Sequence, residues 1–439
     1  MQRNIYEDLK NWKTSRHRKP LLLQGARQVG KTYIVALFGQ REYHDYVCLN
    51  FEQYPEYANL FERSLDPARI IEEIGLLQGR KLLPGSTLLF FDEIQECPRA
   101  LISLKYFYEQ TPEYHIIAAG SLLGVKVGKA NSFPVGKIEQ MTMYPMTFQE
   151  FLLARGEERI VEMLKAKTDM ETVSEPVHLK LQDHLKRYLF IGGMPEIVDT
   201  FLRTEDITLT RELHNQLLGA YANDFSKHTS QSRAMKTTEI WNSIPRQLAR
   251  ENKKFKYGDA KKGKGASYFQ ETIEWLKNAG LVIVAHNITK PDLPLGGYAD
   301  HSKFKLYLFD CGLLGAMLHV SSELIVSPND LFRAYNGAFI ENFVATQLID
   351  SGHKELFYWT SGNTAEVDFI LQMENRVVPL EVKSGTSLRM KSLNVYGDKY
   401  HPSIRYRTSP RNFDRRDDFC NLPLYAVGIT PLSGVRSLP

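Results

Sequence analysis

Leu21-Leu22-Leu23-Gln24-Gly25-Ala26-Arg27-Gln28-Val29-Gly30-Lys31-Thr32-Tyr33-Ile34-Val35 decides the first half of this chain. The leucines form a short apolar run closed by a glycine, which reads as a buried strand ending in a turn. From Lys31 to Phe38 the apolar residues recur at helical spacing. Between strand and helix, Gly25 to Thr32 has the G-x-x-x-x-G-K-T spacing of a phosphate-binding loop. Its glycines let the backbone close around phosphate oxygens, and the helix opening at Gly30 adds the partial positive charge of its N-terminus. On this reading Gly25, Arg27, Gln28, Val29, Gly30, Lys31 and Thr32 hold ATP. Lys31 reaches the β- and γ-phosphates, and the Thr32 hydroxyl is a ligand of Mg²⁺. Arg27 either touches a phosphate or forms a surface ion pair.

The partner of such a loop is a buried strand with acids at its C-terminal edge. Leu88-Leu89-Phe90-Phe91-Asp92-Glu93 has that form. Asp92 is expected to hold Mg²⁺, and Glu93 to polarise the attacking water. Further apolar runs at Tyr46–Glu52, His115–Ser121 and Lys137–Tyr144 alternate with helical patterns. The expected class is therefore α/β, a parallel sheet covered by helices on both faces. The Tyr46–Glu52 strand suggests a sheet with a strand inserted beside the first. Ser121 follows the strand expected between the loop and Asp92. It either senses the γ-phosphate in catalysis or caps the next helix.

Gly25-Ala-Arg-Gln-Val-Gly-Lys-Thr, Asn50-Phe-Glu, Phe91-Asp-Glu-Ile-Gln, Ala119-Gly-Ser and Tyr144-Pro-Met-Thr-Phe-Gln-Glu-Phe together resemble a prokaryotic group of AAA+-type ATPases, close to the signal-transduction and archaeal ATPase clades. In that group Gly192-Gly-Met-Pro-Glu, Asn223-Asp-Phe-Ser-Lys and a C-terminal domain of unknown function follow. The resemblance implies ATP binding and hydrolysis, and a homo-oligomer such as a dimer or ring. Related ATPases often carry arginine where this chain has Gly136-Lys137, so the resemblance names no arginine finger.

From Met146 the pattern turns helical. Thr237–Arg250, Tyr268–Asn278 and the strand Leu281–Ala285 follow the helix, helix, strand order of a winged helix. Lys253, Lys254, Lys256, Lys261, Lys262 and Lys264 precede the second of these helices. They either bind DNA phosphates or form a solvated loop. Beyond residue 300 the chain is mixed again. Glu381 and Lys383 share one face of a strand, and Asp368 on a neighbouring strand can join them. With Glu341 on a helix, the order resembles the PD-(D/E)xK nuclease fold. There, acids hold Mg²⁺ against a phosphodiester and the lysine activates water. Active cleavage, an inactive relative and a plain salt-bridged sheet are the three readings of these residues.

The chain has 439 residues and a formal net charge of +4. So small a net charge argues for nucleic acid only through local clusters. Three regions are expected: a P-loop domain over 1–155, a helical region with a winged-helix-like segment over 156–300, and a nuclease-like domain over 301–439. The four cysteines show no metal-ligand spacing. Met1–Pro20 is polar and basic, and no apolar run approaches the roughly 20 residues of a membrane helix. The expectation is a cytoplasmic protein without membrane contact.

Overall fold

In the computed structural model, residues 1–120, 136–227, 230–250, 254–320, 337–362, 365–387 and 389–432 are described. They form two units, one built on Gln2–Tyr144 and the other on Pro145–Lys277 with Leu281–Pro439. Ser121 and Lys253 lie outside the described residues. Among the described residues no helix is long and apolar enough to cross a membrane.

The first unit carries a five-stranded sheet: β1 (Leu21–Gln24), β2 (Asp45–Asn50), β3 (Thr87–Asp92), β4 (His115–Ala119) and β5 (Glu139–Thr142). All neighbours are parallel and the order is β2-β3-β4-β1-β5. The strand of residues 45–50 is thus an edge strand beside β3, and the strands flanking β1 are β4 and β5. Every residue of β3 and β4 is buried, as expected when helices cover both faces of a sheet. Phe91 sits among Phe51, Phe61 and Phe107 at centroid distances of 5.6–6.1 Å. The basic N-terminal stretch conceals a helix, Ile5–Thr14, anchored by the buried Ile5, Leu9 and Trp12.

The second unit opens with helix Phe148–Ala154, started by a Thr147–Glu150 capping box. Phe148 N–H donates to Gln347 Oε1 at 2.9 Å, and its ring meets Tyr188 edge-on. These contacts place the helix in this unit, so the boundary expected at 155 falls instead at 144–145. The Gly192-Gly193 turn is a site of close backbone approach. A Cβ on Gly193 would lie 2.1 Å from the Met146 carbonyl oxygen. Gly193 N–H donates to the buried Asp310 at 2.6 Å.

Eight strands form the second sheet: β6 (Val282–Ile288), β7 (Ala299–Leu308), β8 (Leu356–Thr360), β9 (Glu366–Met373), β10 (Arg376–Val382), β11 (Arg405–Ser409), β12 (Asp414–Arg416) and β13 (Phe419–Pro423). Their order is β12-β13-β11-β10-β9-β8-β6-β7. The helices Gln231–Leu248 and Ala266–Asn278 precede the antiparallel β6–β7 hairpin, so the helix, helix, strand order holds. The hairpin is not a free wing, because β6 also pairs in parallel with β8. A domain boundary at 300 would fall inside β7. After β13, Leu424–Ala426 form a short 3₁₀ turn.

Candidate functional site

At the end of β1, Gly25 has φ +148°, and a Cβ there would lie 2.2 Å from the Met143 carbonyl oxygen. Gly30, at φ +96°, opens helix Lys31–Glu42. These two positions need glycine, one for space and both for their left-handed backbone. Lys31 is buried, and its Nζ donates to the Gly25 and Ala26 carbonyl oxygens at 2.9 Å each. Burial pushes its pKa down to about 8, while Glu93 and Asp92 pull it the other way. Arg3 braces the loop from the N-terminal segment, donating to the Val29 and Tyr144 carbonyl oxygens at 3.0 and 2.6 Å.

Asp92, the last residue of β3, is 2% exposed. Its Oδ2 accepts from Thr32 Oγ1 and from Asn50 Nδ2, each at 3.0 Å. Burial and the neighbouring Glu93 raise its pKa; the hydrogen bonds from Thr32, Glu93 N–H and Asn50 oppose that. Two oxygens about 3 Å apart match adjacent ligands of an octahedral Mg²⁺, whose bonds are about 2.1 Å. Thr32 and Asp92 could therefore hold the ion together. Glu93 has φ +49°, which turns the chain sharply at the strand end. Gln95 Nε2 donates to Glu93 Oε2. A Cβ on Gly120 would lie 2.5 Å from Gln95 Oε1, so the glycine after β4 makes room for this glutamine.

A family model described as "AAA domain" matches residues 17–152, the region that contains this site. The first unit is an AAA+-type P-loop ATPase domain. Two models described as "Domain of unknown function", DUF8612 and DUF4143, match residues 182–324 and 336–426. No curated protein matches the chain. Among solved structures it is similar to a Walker-type ATPase of Pyrococcus abyssi, at 15% identity and TM-score 0.44, over 72% of this chain and 95% of that one. It is also similar to the ORC1 protein of Aeropyrum pernix in complex with DNA, at 14% identity and TM-score 0.29, over 72% and 90%. A third is RuvB of Thermotoga maritima, at 18% identity and TM-score 0.28, over 64% and 89%.

Beyond the ATPase domain, the lysine segment gathers around one ring. Lys236, Lys264 and Lys261 lie 4.2, 4.9 and 5.6 Å from the Tyr268 ring centroid. Lys236, on helix Gln231–Leu248, joins Lys261, Lys262 and Lys264 only through the fold. Lys261 also pairs with Glu239 at 2.6 Å. Lys256 and Lys262 are exposed and Lys254 is half-buried. Helix Ala266–Asn278 does not offer a basic face: its exposed side includes Gln270, Glu271 and Glu274. The lysine cluster sits at its N-terminal end, and the exposed Lys277 lies at the other end.

Strand pairing brings the C-terminal acids together. Leu380 faces Phe369 across β10–β9, so the next pair in that register is Glu381 with Asp368, on one face of the sheet. Lys383 pairs with Glu381 at 2.6 Å. The other Glu381 oxygen, Oε2, is buried without a hydrogen-bond partner. Asp368 Oδ2 accepts from Val382 N–H at 2.8 Å. Sequence reasoning missed the centre of this cluster, Lys305 of β7. Its Nζ lies 2.5 Å from Glu366 Oε1, 3.4 Å from Glu341 Oε2 and 3.8 Å from Asp368 Oδ1. Among the described residues, no group of three or more His, Cys, Asp or Glu side chains is placed to hold a metal ion.

Proposed function

We propose that the chain hydrolyses ATP at the first unit and couples its nucleotide state to DNA bound by the lysines around Tyr268. The observation that carries the ATP half is the Thr32–Asp92 hydrogen bond beside the glycine-bounded loop. When bound, Mg²⁺ would neutralise charge that builds on the phosphates. The loop N–H groups and Lys31 orient the phosphates, exchanging the Lys31 carbonyl contacts for phosphate oxygens. Glu93 takes a proton from the attacking water, and Gln95 orients the Glu93 carboxylate. Asn50 keeps Asp92 turned toward Thr32.

For the DNA half, three ammonium groups held near one ring form a compact site for backbone phosphates, without features that select a base. The exposed glutamates of helix Ala266–Asn278 favour contact through its N-terminal end and the preceding loop, not along its length. ATP turnover measured with and without duplex DNA tests the coupling. Stimulation by DNA, lost when Lys236, Lys254, Lys256, Lys261, Lys262 and Lys264 become Gln, is the expected result. Turnover indifferent to DNA removes this half of the reading.

A second reading is a nucleotide-dependent switch for a protein partner, with a nuclease-like domain that does not cleave. The burial of Lys305 among Glu341, Glu366 and Asp368 favours its last element. A Mg²⁺-dependent nicking assay on supercoiled DNA, compared with Asp368→Ala and Glu381→Ala, decides whether the domain cleaves.

A further inference from the structure

The matched ATPase domain begins at residue 17, yet its nucleotide loop is held from upstream of that point. Arg3 is buried, and its guanidinium spans two carbonyls: Nη1 donates to Val29 O at 3.0 Å and Nη2 to Tyr144 O at 2.6 Å. The planar fork of an arginine fixes two acceptors relative to one another, which a point-like ammonium does not. Gly25, the first residue of the loop, closes on the residue before Tyr144. A Cβ there would lie 2.2 Å from the Met143 carbonyl oxygen, and Met143 N–H donates to Gln24 O at 2.8 Å. One short stretch, Met143–Tyr144, therefore sets the start of the loop by contact and its end through Arg3. Arg3 is itself anchored. The helix Ile5–Thr14 that follows it buries Ile5, Leu9 and Trp12. Tyr6 O–H donates to Glu42 Oε1 at 2.9 Å, and its ring meets Phe38 edge-on at 5.7 Å. This helix thus lies against Lys31–Glu42, the helix that the loop opens.

The Val29–Gly30 peptide is trans. In a trans peptide the carbonyl and the following N–H point in opposite directions. A Val29 carbonyl turned toward Arg3 therefore turns the Gly30 N–H away from it, and no backbone oxygen among the described residues accepts from that N–H. With glycine on one side, this peptide plane is easily rotated unless something holds its carbonyl. We infer that Arg3 is a positioning residue of the nucleotide site: it locks the Val29–Gly30 peptide with the Gly30 N–H turned into the loop, where backbone donors cradle the α- and β-phosphates. The inference rests on the ATP-binding reading and extends it to a residue ahead of the matched domain. Arg3 touches no phosphate on this account. It acts through the Val29 carbonyl, and the N-terminal helix serves to hold it in place.

The test is equilibrium binding of ATP and of ADP, each with Mg²⁺, to the full chain by titration calorimetry, beside thermal melts. Arg3→Ala should weaken both nucleotides alike, since both carry the α- and β-phosphates. The expected loss is roughly tenfold, the lower end of what one hydrogen bond to a charged group contributes. Leu9→Ala loosens the same helix without touching either carbonyl. It should lower the Tm and leave both affinities at their wild-type values below the melt. Should Arg3→Ala not fold, Arg3→Lys, which offers a point donor in place of the fork, should show a smaller loss in the same direction. Wild-type affinities in a folded Arg3 variant would overturn the inference and leave the ATP reading intact. An equal loss in Leu9→Ala would overturn it as well, by assigning the effect to helix docking. A wild-type chain that binds neither nucleotide would remove the ATP reading and the inference together.

Discussion

Lys31 and Lys305 are both buried lysines near carboxylates, and their surroundings set them opposite tasks. Lys31 rests on two neutral carbonyl oxygens, with Asp92 and Glu93 close by. Burial dominates, and its pKa falls to about 8. Lys305 suffers the larger burial, yet Glu341, Tyr307, Glu366 and Asp368 overcome it and hold its pKa well above the ordinary value. A lysine held by carbonyls can exchange them for phosphate oxygens, since neither exchange partner is left as an unpaired charge. A lysine held by buried acids cannot leave without exposing their mutual repulsion. The lesson is that the charge of the partners, more than the depth of burial, separates a lysine ready for a ligand from one committed to the fold.

The comparison breaks most readily at the water-activating carboxylate. Glu93→Gln should retain ATP and lose turnover by roughly 10²–10⁴-fold, the scale of a lost general base, as read by phosphate release beside equilibrium ATP binding. Wild-type turnover in that variant would leave the first site without its assigned base. The next largest effect is on stability. Lys305→Ala should cost about 3–5 kcal/mol, as expected when one partner of a buried ion cluster is removed. Lys31→Ala should cost about 1 kcal/mol, because it removes two neutral contacts, while weakening ATP binding by roughly 10–100-fold. Denaturant melts of the two variants, compared side by side, would sink the contrast if their losses were equal.

A pH series sharpens it further. The folded chain releases the Lys31 proton near pH 8, whereas the unfolded chain keeps it until about 10.5. Between those values the unfolded state binds more protons, so this group makes stability rise with pH. ATP affinity should move the other way, weakening by up to about tenfold per pH unit above 8 as the ammonium is lost. Titration calorimetry from pH 7 to 9.5 measures it, and an affinity flat across that range would remove the Lys31 cation from phosphate binding. The smallest effect belongs to the lysines around Tyr268. Each phosphate contact they make should contribute about 0.9 to the slope of log K against log salt. Replacement of Lys236, Lys261 and Lys264 with Gln should flatten the slope on a labelled duplex, and an unchanged slope would leave them as solvated surface.

The ATPase domain was legible because its signals are local. Gly25 to Thr32 is contiguous, and Leu88 to Glu93 announces a buried strand with acids at its tip. The residues that complete the site were not legible, since they act through the fold. Arg3 reaches Val29 from 26 positions away, and Asn50 meets Asp92 only because β2 lies beside β3. In the second unit polarity itself misleads. Lys303 and Lys305 alternate with Phe304 along β7, yet Lys303 is exposed and Lys305 fully buried. The polar stretch Arg405–Ser409 is β11, which runs between β10 and β13 with Arg407, Thr408 and Ser409 buried. There Arg407 Nε and Ser409 Oγ both donate to Asn421 Oδ1, and these side-chain bonds replace the apolar signal a central strand normally shows.

The pairing of β6 with β8 has a consequence for how the molecule comes apart. Two separately recognised sequence families meet within this one sheet, and the hydrogen bonds from Ala285–Ile288 to Leu356–Trp359 stitch them together. A protease nick or a truncation near residue 300 would strip β6 of its hairpin partner and bare a long, apolar edge, an invitation to aggregate. Evolutionary modules and cooperative folding units are therefore out of step here. The strands β6 to β13 should lose their protection against hydrogen exchange in one concerted opening, heedless of the seam between the families.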